Sequence, residues 1–502
     1  MDPTAKRILI VGGGTSGAVL AARLSEDPRF AVTLLEAGPD HADYDEGMLD
    51  PALAPDRWPG VGEHLIVQPM TSETGPVPMI QGRILGGTSA VNGLATLRGQ
   101  PADYDDWARA GLEGWGWKDV ESTFAAVERD LDFGDSPIHG STGPLPVRRW
   151  RPDEMSRSQL AFREAMVECG QPASADINDP RTLPGVGVFP VTIDENTRRV
   201  STSLAFLNDE VRARPNLEIR TRAEVARIEI SSGAARGVVL ANGEEIEADE
   251  VVVTAGAIWT AAMLLRSGVG PKDHLGEYAL PVHADLPVGS TMADHLGPGI
   301  PYSHPGPRGG IAGPAQVVYV GASDGTRVDH HLMPISLHDP ARRPLDPEIE
   351  KTMFVLAVFL LCSSGRGSVR LGDTPEDTPV VVAPPLPDHA PQILRHALDR
   401  VADWERSEAC RALGAEPLMP HDLAAPDAGQ AALERNTISY GHMVGTCPMG
   451  PVLDADCRVH GIANLRVADA SVMPTIPAGN TYLGCVMVAE RIGRKMRETP
   501  GR

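Results

Sequence analysis

Long apolar runs are missing from this sequence: the longest, Met353 to Cys362, reads "MFVLAVFLLC" and is about half the length a membrane-spanning helix needs. No transmembrane segment is expected. Positive charge is also in short supply, with 45 Lys and Arg against 67 Asp and Glu. The formal net charge of −22 repels phosphate backbones and anionic headgroups, so no nucleic-acid or membrane-surface partner is expected. A neutral or cationic small molecule is easier to accommodate. Cysteine is scarce, and Cys169, Cys362, Cys410, Cys447, Cys457 and Cys485 contain no C-x-x-C pair and no metal-ligand rhythm. That pattern favours free thiols in a reducing compartment over a disulfide framework. Met1 leads within a few residues into a strand, leaving no room for a signal peptide, and a cytoplasmic protein is expected. Aromatic residues make up only 4% of the chain, so a ring cage for a quaternary ammonium is not apparent.

What is present begins with "RILIV" at Arg7 to Val11, a short apolar run of the kind buried on both faces of a parallel sheet. "SGAVLAARLSED" then follows helical spacing, and "AVTLLEAG" returns to strand. Between strand and helix stands G-x-G-x-x-G as Gly12, Gly14 and Gly17, where glycines permit a tight turn and let a pyrophosphate approach the positive end of a helix. Glu36 lies about 20 residues on, at the end of the next strand, where a carboxylate accepts hydrogen bonds from ribose hydroxyls. A carboxylate there argues against NADP and leaves NAD and FAD open.

The 502 residues suit two large domains or one nucleotide domain with large insertions. Pro39 to about Pro78 is too long and too rich in Pro and Gly for an ordinary connection, and reads as a functional excursion or lid. Asn216 to Ala257 holds several short β-like runs separated by turn signals. From about Gly297 to Leu433 the texture changes to Pro-rich loops mixed with β-like and helical segments, read as a second domain. The tail from Leu465 runs strand, loop, helix, and looks like a return to the first domain.

"GRILGGTSAVNGLATLRG" at Gly82 to Gly99 and "GAIWTAAMLLRSGVG" at Gly256 to Gly270 resemble the two signatures of the glucose-methanol-choline (GMC) family of FAD-dependent oxidoreductases. "VGSTMADHLG" near Asp294 and His295, "SSGRGSVRL" near Arg366, "HMVGTCPMG" and "VADASVMP" extend the resemblance over nearly the whole chain, in the family's order. It implies an α/β and α+β fold, with a Rossmann-like FAD-binding domain and a sheet-plus-helix substrate domain. The expected division is 1–296 mainly FAD-binding, with parts of about 150–200 in the substrate domain; 297–433 mainly substrate domain; and 434–502 returning to the FAD-binding domain.

By the same resemblance, the FAD site draws on Gly12, Gly14, Thr15, Ser16, Gly17, Glu36, Ala37, Arg83, Gly86, Gly87, Thr88, Asn92, Gly93, Val225, Ala257, Asp469, Ala470, Asn480 and Thr481. Small residues around Gly86 and Gly87 let backbone lie against a flat isoalloxazine ring. A large residue at either is expected to block the flavin. The sequence departs from the family pattern at Thr96, where an aromatic residue is common, and at Ala261, where proline is usual. Some relatives link the flavin through a histidine at the position of Val91, so dissociable FAD is expected here.

The resemblance also places His442 opposite the flavin's reactive nitrogen, with Asn480 as its partner. A neutral imidazole can take a hydroxyl proton while the flavin takes a hydride, and an amide hydrogen can steady the substrate oxygen. Oxidation of an alcohol to an aldehyde or ketone is therefore expected, with a slight preference for a dehydrogenase using a non-oxygen acceptor. An alcohol oxidase, a lyase or a light-driven decarboxylase on the same fold are the alternatives. The alcohol and the acceptor stay open, with choline not favoured over aliphatic, furanic or aryl alcohols. No metal site is expected around His442, and His460 reads as a loop histidine. Adjacent His330 and His331 point to opposite strand faces, so at most one can face a pocket. Phe354 or Phe359 could reach the pocket from the apolar run, and Cys447 reads as a small buried residue.

Overall fold

Val, Ile and Leu fill the run Lys6–Val11, and it becomes the middle strand of a five-stranded sheet whose other members cover it on both edges. The computed structural model describes residues 4–40, 46–51, 64–307, 309, 310, 313, 315–336 and 351–498. The sheet runs Leu465–Val467, Glu250–Val253, Lys6–Val11, Phe30–Leu35, Leu217–Arg220, with every neighbouring pair parallel. Ligands of such sheets bind beyond the carboxyl ends of the strands, which here carry Gly12, Glu36, Thr254 and Asp469. Helix Thr15–Leu24 follows the first strand and is buried along nearly its whole length, between the sheet and helix Thr481–Glu498. Arg23 and Glu490 pair across that helix contact at 2.7 Å. The tail thus returns to the first sheet as a strand and a packed helix.

A second, seven-stranded antiparallel sheet holds Gly185–Val188, Val317–Gly321, His330–Ser336, Lys351–Leu360 and Leu296–Pro305 in that order. Short strands Glu416–Pro417 and Thr437–Ser439 pair with its last member. The apolar run falls in Lys351–Leu360, a central strand. Helix Ala390–Arg406 lays Ile393, Leu394, Ala397, Leu398, Val401 and Trp404 on this sheet, at the 3–4 residue spacing of an amphipathic helix. Each sheet anchors its own apolar core.

Within Pro39 to Pro78 the structure differs from the expected loop. Leu65–Ser72 and Gly75–Gly82 form an antiparallel hairpin whose Gln68, Met70, Val77 and Met79 point inward. Pro69 and Pro78 sit opposite each other on its outer face, and these prolines hid the period-2 pattern. Residues 41–45 and 52–63 of that segment, part of the expected lid, lie outside the described residues. All six cysteines are unpaired. Among the described residues no helix is long and apolar enough to cross a membrane.

Candidate active site

Between the carboxyl edge of the parallel sheet and the inner face of the antiparallel sheet lies a cavity of about 620 Å³, within the range of small-molecule sites of roughly 300–1,000 Å³. One end is dinucleotide-like. Gly12 turns with φ +105°, and a Cβ there would meet Thr254 O at 2.7 Å. A Cβ on Gly17 would lie 1.9 Å from Gly12 O, so this glycine lets helix and turn touch. The backbone N–H groups of the helix's first turn, at Thr15, Ser16 and Gly17, have no partner within the helix, which suits this end to an anion.

Glu36 accepts hydrogen bonds from Gly13 N and Gly38 N, both at 2.8 Å, one on each carboxylate oxygen. Each oxygen keeps a further lone pair for a hydroxyl donor. Burial pushes the Glu36 carboxyl up to about 7, with the backbone donors opposing the shift. Gly87 (φ +52°) packs directly on Gly14, its absent Cβ falling 2.7 Å from Gly14 Cα. The two chains therefore meet backbone to backbone, leaving the flat, side-chain-free wall that a flavin ring system fits. Asp469 accepts from Gly256 N at 2.8 Å and Thr260 Oγ at 2.6 Å with one oxygen, and from Ser471 with the other. It thereby pins the start of helix Gly256–Arg266 to the C-terminal segment.

Of the residues expected to hold FAD, Gly12, Gly14, Thr15, Ser16, Glu36, Ala37, Arg83, Gly87, Thr88, Asn92, Gly93, Val225, Ala257, Asp469, Ala470, Asn480 and Thr481 all line this cavity. Gly17 and Gly86 stand behind its wall. A Cβ on Gly86 would meet Ser203 Oγ at 2.7 Å, so bulk there disturbs the wall from the rear.

His442 and Asn480 meet in the same cavity, with Asn480 Nδ2 3.2 Å from His442 Nε2. Thr446 Oγ donates to Ala257 O at 2.5 Å and Gly445 N to Ala470 O at 3.3 Å, seating the histidine loop on the dinucleotide end. Ala478 N donates to Asp103 Oδ2 at 2.7 Å, which ties the approach to Asn480 onto helix Pro101–Arg109. Burial alone holds the His442 imidazole down at about 3, so it is neutral at ordinary pH. Around it the wall is aromatic and apolar: Tyr440 stacks on Phe359 with ring centroids 4.1 Å apart, and Phe189, Met333 and Ile335 complete the surface.

Phe359 faces the cavity, whereas Phe354 points to the other face and stacks on Tyr302. His330 and His331 are both buried and neither lines the cavity: His330 pairs with Asp329 at 2.7 Å, and His331 stands behind Tyr440 and Phe189. Cys447 is wholly buried, and His460 contacts Gly450 O in a loop. Sequence reasoning missed Arg199, whose guanidinium donates to Asn92 O at 2.7 Å and to Asn92 Oδ1 at 3.2 Å. It also missed the wall residues Phe189, Met333, Ile335 and Tyr440. Strand alternation identified pairs of candidates, but only the sheet's packing decides which face looks inward.

A separate buried cluster, Glu128, Asp130 and His139, brings potential metal ligands together. Its charge is already balanced by Arg98 on Glu128 and by Arg149 on Asp130 and Asp176. Burial favours neutral His139, but hydrogen bonds to Asp130, Asp176 and Glu128 outweigh it and raise the imidazole to about 10. The cluster is an ion network that ties strands Glu128–Asp130 and Leu145–Arg149 to neighbouring loops, and none of its residues lines the cavity.

The sequence profile of the GMC oxidoreductase family matches residues 6–297 with its N-terminal part and 363–489 with its C-terminal part. The chain is 33% identical to 5-(hydroxymethyl)furfural oxidase of a Methylovorus species, covering 98% of each chain. It is 31% identical to pyridoxine 4-oxidase of Microbacterium luteolum, over 96% of this chain and 98% of that one. It is 32% identical to an oxygen-dependent choline dehydrogenase of Burkholderia thailandensis, over 98% and 93%. The crystal structure of pyridoxine 4-oxidase from Mesorbium loti superposes with a TM-score of 0.89 at 29% identity, covering 99% of this chain and all of that one.

Proposed function

This chain belongs to the GMC oxidoreductase family, and from that premise we propose that it oxidises an alcohol to an aldehyde or ketone, with His442 as base and Asn480 orienting the substrate oxygen. When bound, FAD supplies the hydride acceptor. The observation that carries the reading is the convergence of His442 Nε2 and Asn480 Nδ2, 3.2 Å apart, on one cavity that also takes in the glycine turn and Glu36. A hydroxyl oxygen entering beside both takes over the amide hydrogen that Asn480 directs at Nε2 and gives its own proton to Nε2. Neutral His442 is ready to receive that proton, and the buried wall keeps water from competing for it.

The substrate end favours an uncharged, flat alcohol of furanic or aryl type. Phe189, Phe359 and Tyr440 supply ring faces. The acidic residues among the described lining, Glu36, Glu224 and Asp469, are engaged by backbone N–H groups, Arg83 and Thr260 towards the nucleotide end. Mixing the FAD-loaded protein with an alcohol series in anaerobic darkness tests this: furanic and aryl alcohols are expected to bleach the oxidised flavin, and choline to do so far more slowly. No bleaching by any alcohol would falsify the oxidation and turn attention to lyase or light-driven chemistry.

For the acceptor we retain the dehydrogenase reading, with oxygen as the competing choice because similar proteins bear the name oxidase. Admitting air to the alcohol-reduced protein separates the two. Slow recovery of the flavin band fits a dehydrogenase, whereas rapid recovery with peroxide formation fits an oxidase. Val91 lines the cavity with an aliphatic side chain that offers no nucleophile, which supports dissociable FAD. Acid precipitation is expected to leave the yellow chromophore in the supernatant; a yellow pellet contradicts it.

The two sheets and their separate cores support the expected division near residue 296, and strand Gly185–Val188 supports placing parts of 150–200 with the substrate domain; Thr437–Ser439 carries the antiparallel sheet a few residues past 433, and Val369, Leu371, Val381 and Ala383 pack in the core of the parallel sheet. Six unpaired thiols support a reducing, cytoplasmic setting.

A further inference from the structure

His442 uses one ring nitrogen towards Asn480; the other, Nδ1, lies 3.0 Å from Nδ1 of His295. Two ring nitrogens at that distance share one hydrogen, so one imidazole donates and the other accepts. If Nε2 of His442 is to face the alcohol as an acceptor, its hydrogen must sit on Nδ1. His295 must then accept on Nδ1 and carry its own hydrogen on Nε2. We propose that His295 is a positioning residue which fixes His442 in the Nδ1–H tautomer and so keeps Nε2 open to the substrate proton, an inference that rests on the reading of His442 as base.

Three observations support this. First, His295 does not line the cavity, so its ring serves His442 rather than substrate or cofactor. Second, its Nε2 is buried without a hydrogen-bond partner among the described residues. An orphaned buried N–H carries a desolvation cost that an apolar side chain of similar size avoids, so the ring is poorly explained as core filling. Third, the pair is held rigidly. Asp294 Oδ1 accepts from the backbone N–H of both His295 (2.8 Å) and His442 (2.9 Å), and its Oδ2 accepts from Ser439 Oγ at 2.5 Å. Tyr440 N donates to His295 O, and Ala293 and Val444 exchange both backbone hydrogen bonds, so neither histidine can shift without the other.

The arrangement has a second consequence once the alcohol proton has moved. Protonated His442 donates from both nitrogens, and the His295 Nδ1 lone pair already stands where the Nδ1–H points. A neutral acceptor stabilises that imidazolium without fixing it as a carboxylate would, so His442 can release the proton again and reset.

The test compares two substitutions of nearly equal size in the FAD-loaded protein. His295→Asn can place an amide oxygen where Nδ1 stands, whereas His295→Leu offers no acceptor. Rapid mixing with a bleaching alcohol is expected to give near wild-type flavin reduction for His295→Asn and a roughly 10- to 100-fold slower limiting rate for His295→Leu. The alcohol's apparent KM should be little changed, because His295 does not touch the substrate cavity. Equal rates for the two variants, fast or slow, overturn the tautomer role. His442→Ala in the same series separates the layers: if it reduces flavin at the wild-type rate, the base assignment falls and this inference with it. If it is severely slowed while His295→Asn and His295→Leu agree, only the inference falls. Should the leucine variant fail to fold, ¹⁵N-histidine spectra of the wild-type protein decide. His442 is expected to be protonated on Nδ1 and His295 on Nε2, and an Nε2–H signature for His442 contradicts the proposal.

Discussion

His442→Ala is expected to slow flavin reduction by an alcohol by about 10²- to 10⁴-fold while FAD stays bound, a loss of roughly 3–5 kcal/mol of transition-state stabilisation. The basis is the absence of a substitute base. The side chains that line the cavity with His442 include Tyr440, Phe359, Phe189, Met333, Ile335 and the amide of Asn480, and none of these is an imidazole or a carboxylate. The titratable groups beside it are the phenols of Tyr440 and of Tyr482, which also lines the cavity, and burial drives both above the ordinary range, so each holds its proton tightly. The next imidazoles, His295 and His331, are outside the cavity. The pH dependence follows from the lowered pKa. A base held down at about 3 is lost only as the pH falls through that region, so this group imposes no acid limb between pH 5 and 8. Single-turnover mixing across that range checks both parts. A variant within a few-fold of wild type removes His442 from the chemistry, and an acid limb near 6.5 shows an imidazole better solvated than this one.

Gly87→Val is expected to produce a folded protein without flavin. The first cost is local: φ is +52° at this residue, a left-handed conformation that disfavours a side chain by about 1–2 kcal/mol. The larger cost is steric. The new Cβ would lie 2.7 Å from Gly14 Cα, and backbone on both sides leaves nothing flexible to yield. Separating the two turns moves Gly14, and with it the start of helix Thr15–Leu24, out of line with Glu36. The purified variant should be colourless and resist reconstitution with added FAD, and its melting temperature should not rise with FAD as the wild type's does. A yellow variant with normal turnover means that the two turns do not form the flavin's wall.

Much of the dinucleotide half is legible in the sequence because there the chemistry is local. Strand, glycine turn, helix and Glu36 fall within about 30 residues, and each follows from period, φ or strand-end position. Gly86 shows the limit of that logic. Its neighbour packs on Gly14 while it packs on Ser203, and nothing in a run of small residues says which contact each one makes. The substrate half is less legible because its wall comes from long-range register. Phe354 and Phe359 have opposite parity on one strand, and only the pairing of His331 with Phe359 and the sheet's orientation decide that Phe359 meets the cavity. His295 and His442 are 147 residues apart and meet because two strands pair between them. The hairpin after Leu65 was obscured by prolines on an outer face, where a lost N–H donor costs little.

The parallel sheet has a consequence for how the protein is made. Its edge strand Leu465–Val467 lies more than two hundred residues beyond its partner Glu250–Val253. Until that late segment leaves the ribosome, the partner's polar edge is bare and helix Thr15–Leu24 lacks its outer cover. The nascent chain therefore passes the synthesis of more than two hundred residues with an open, sticky sheet margin of the kind that chaperones shield. Expression at low temperature, or with added holdase, should raise the soluble yield more than a gain in native-state stability would.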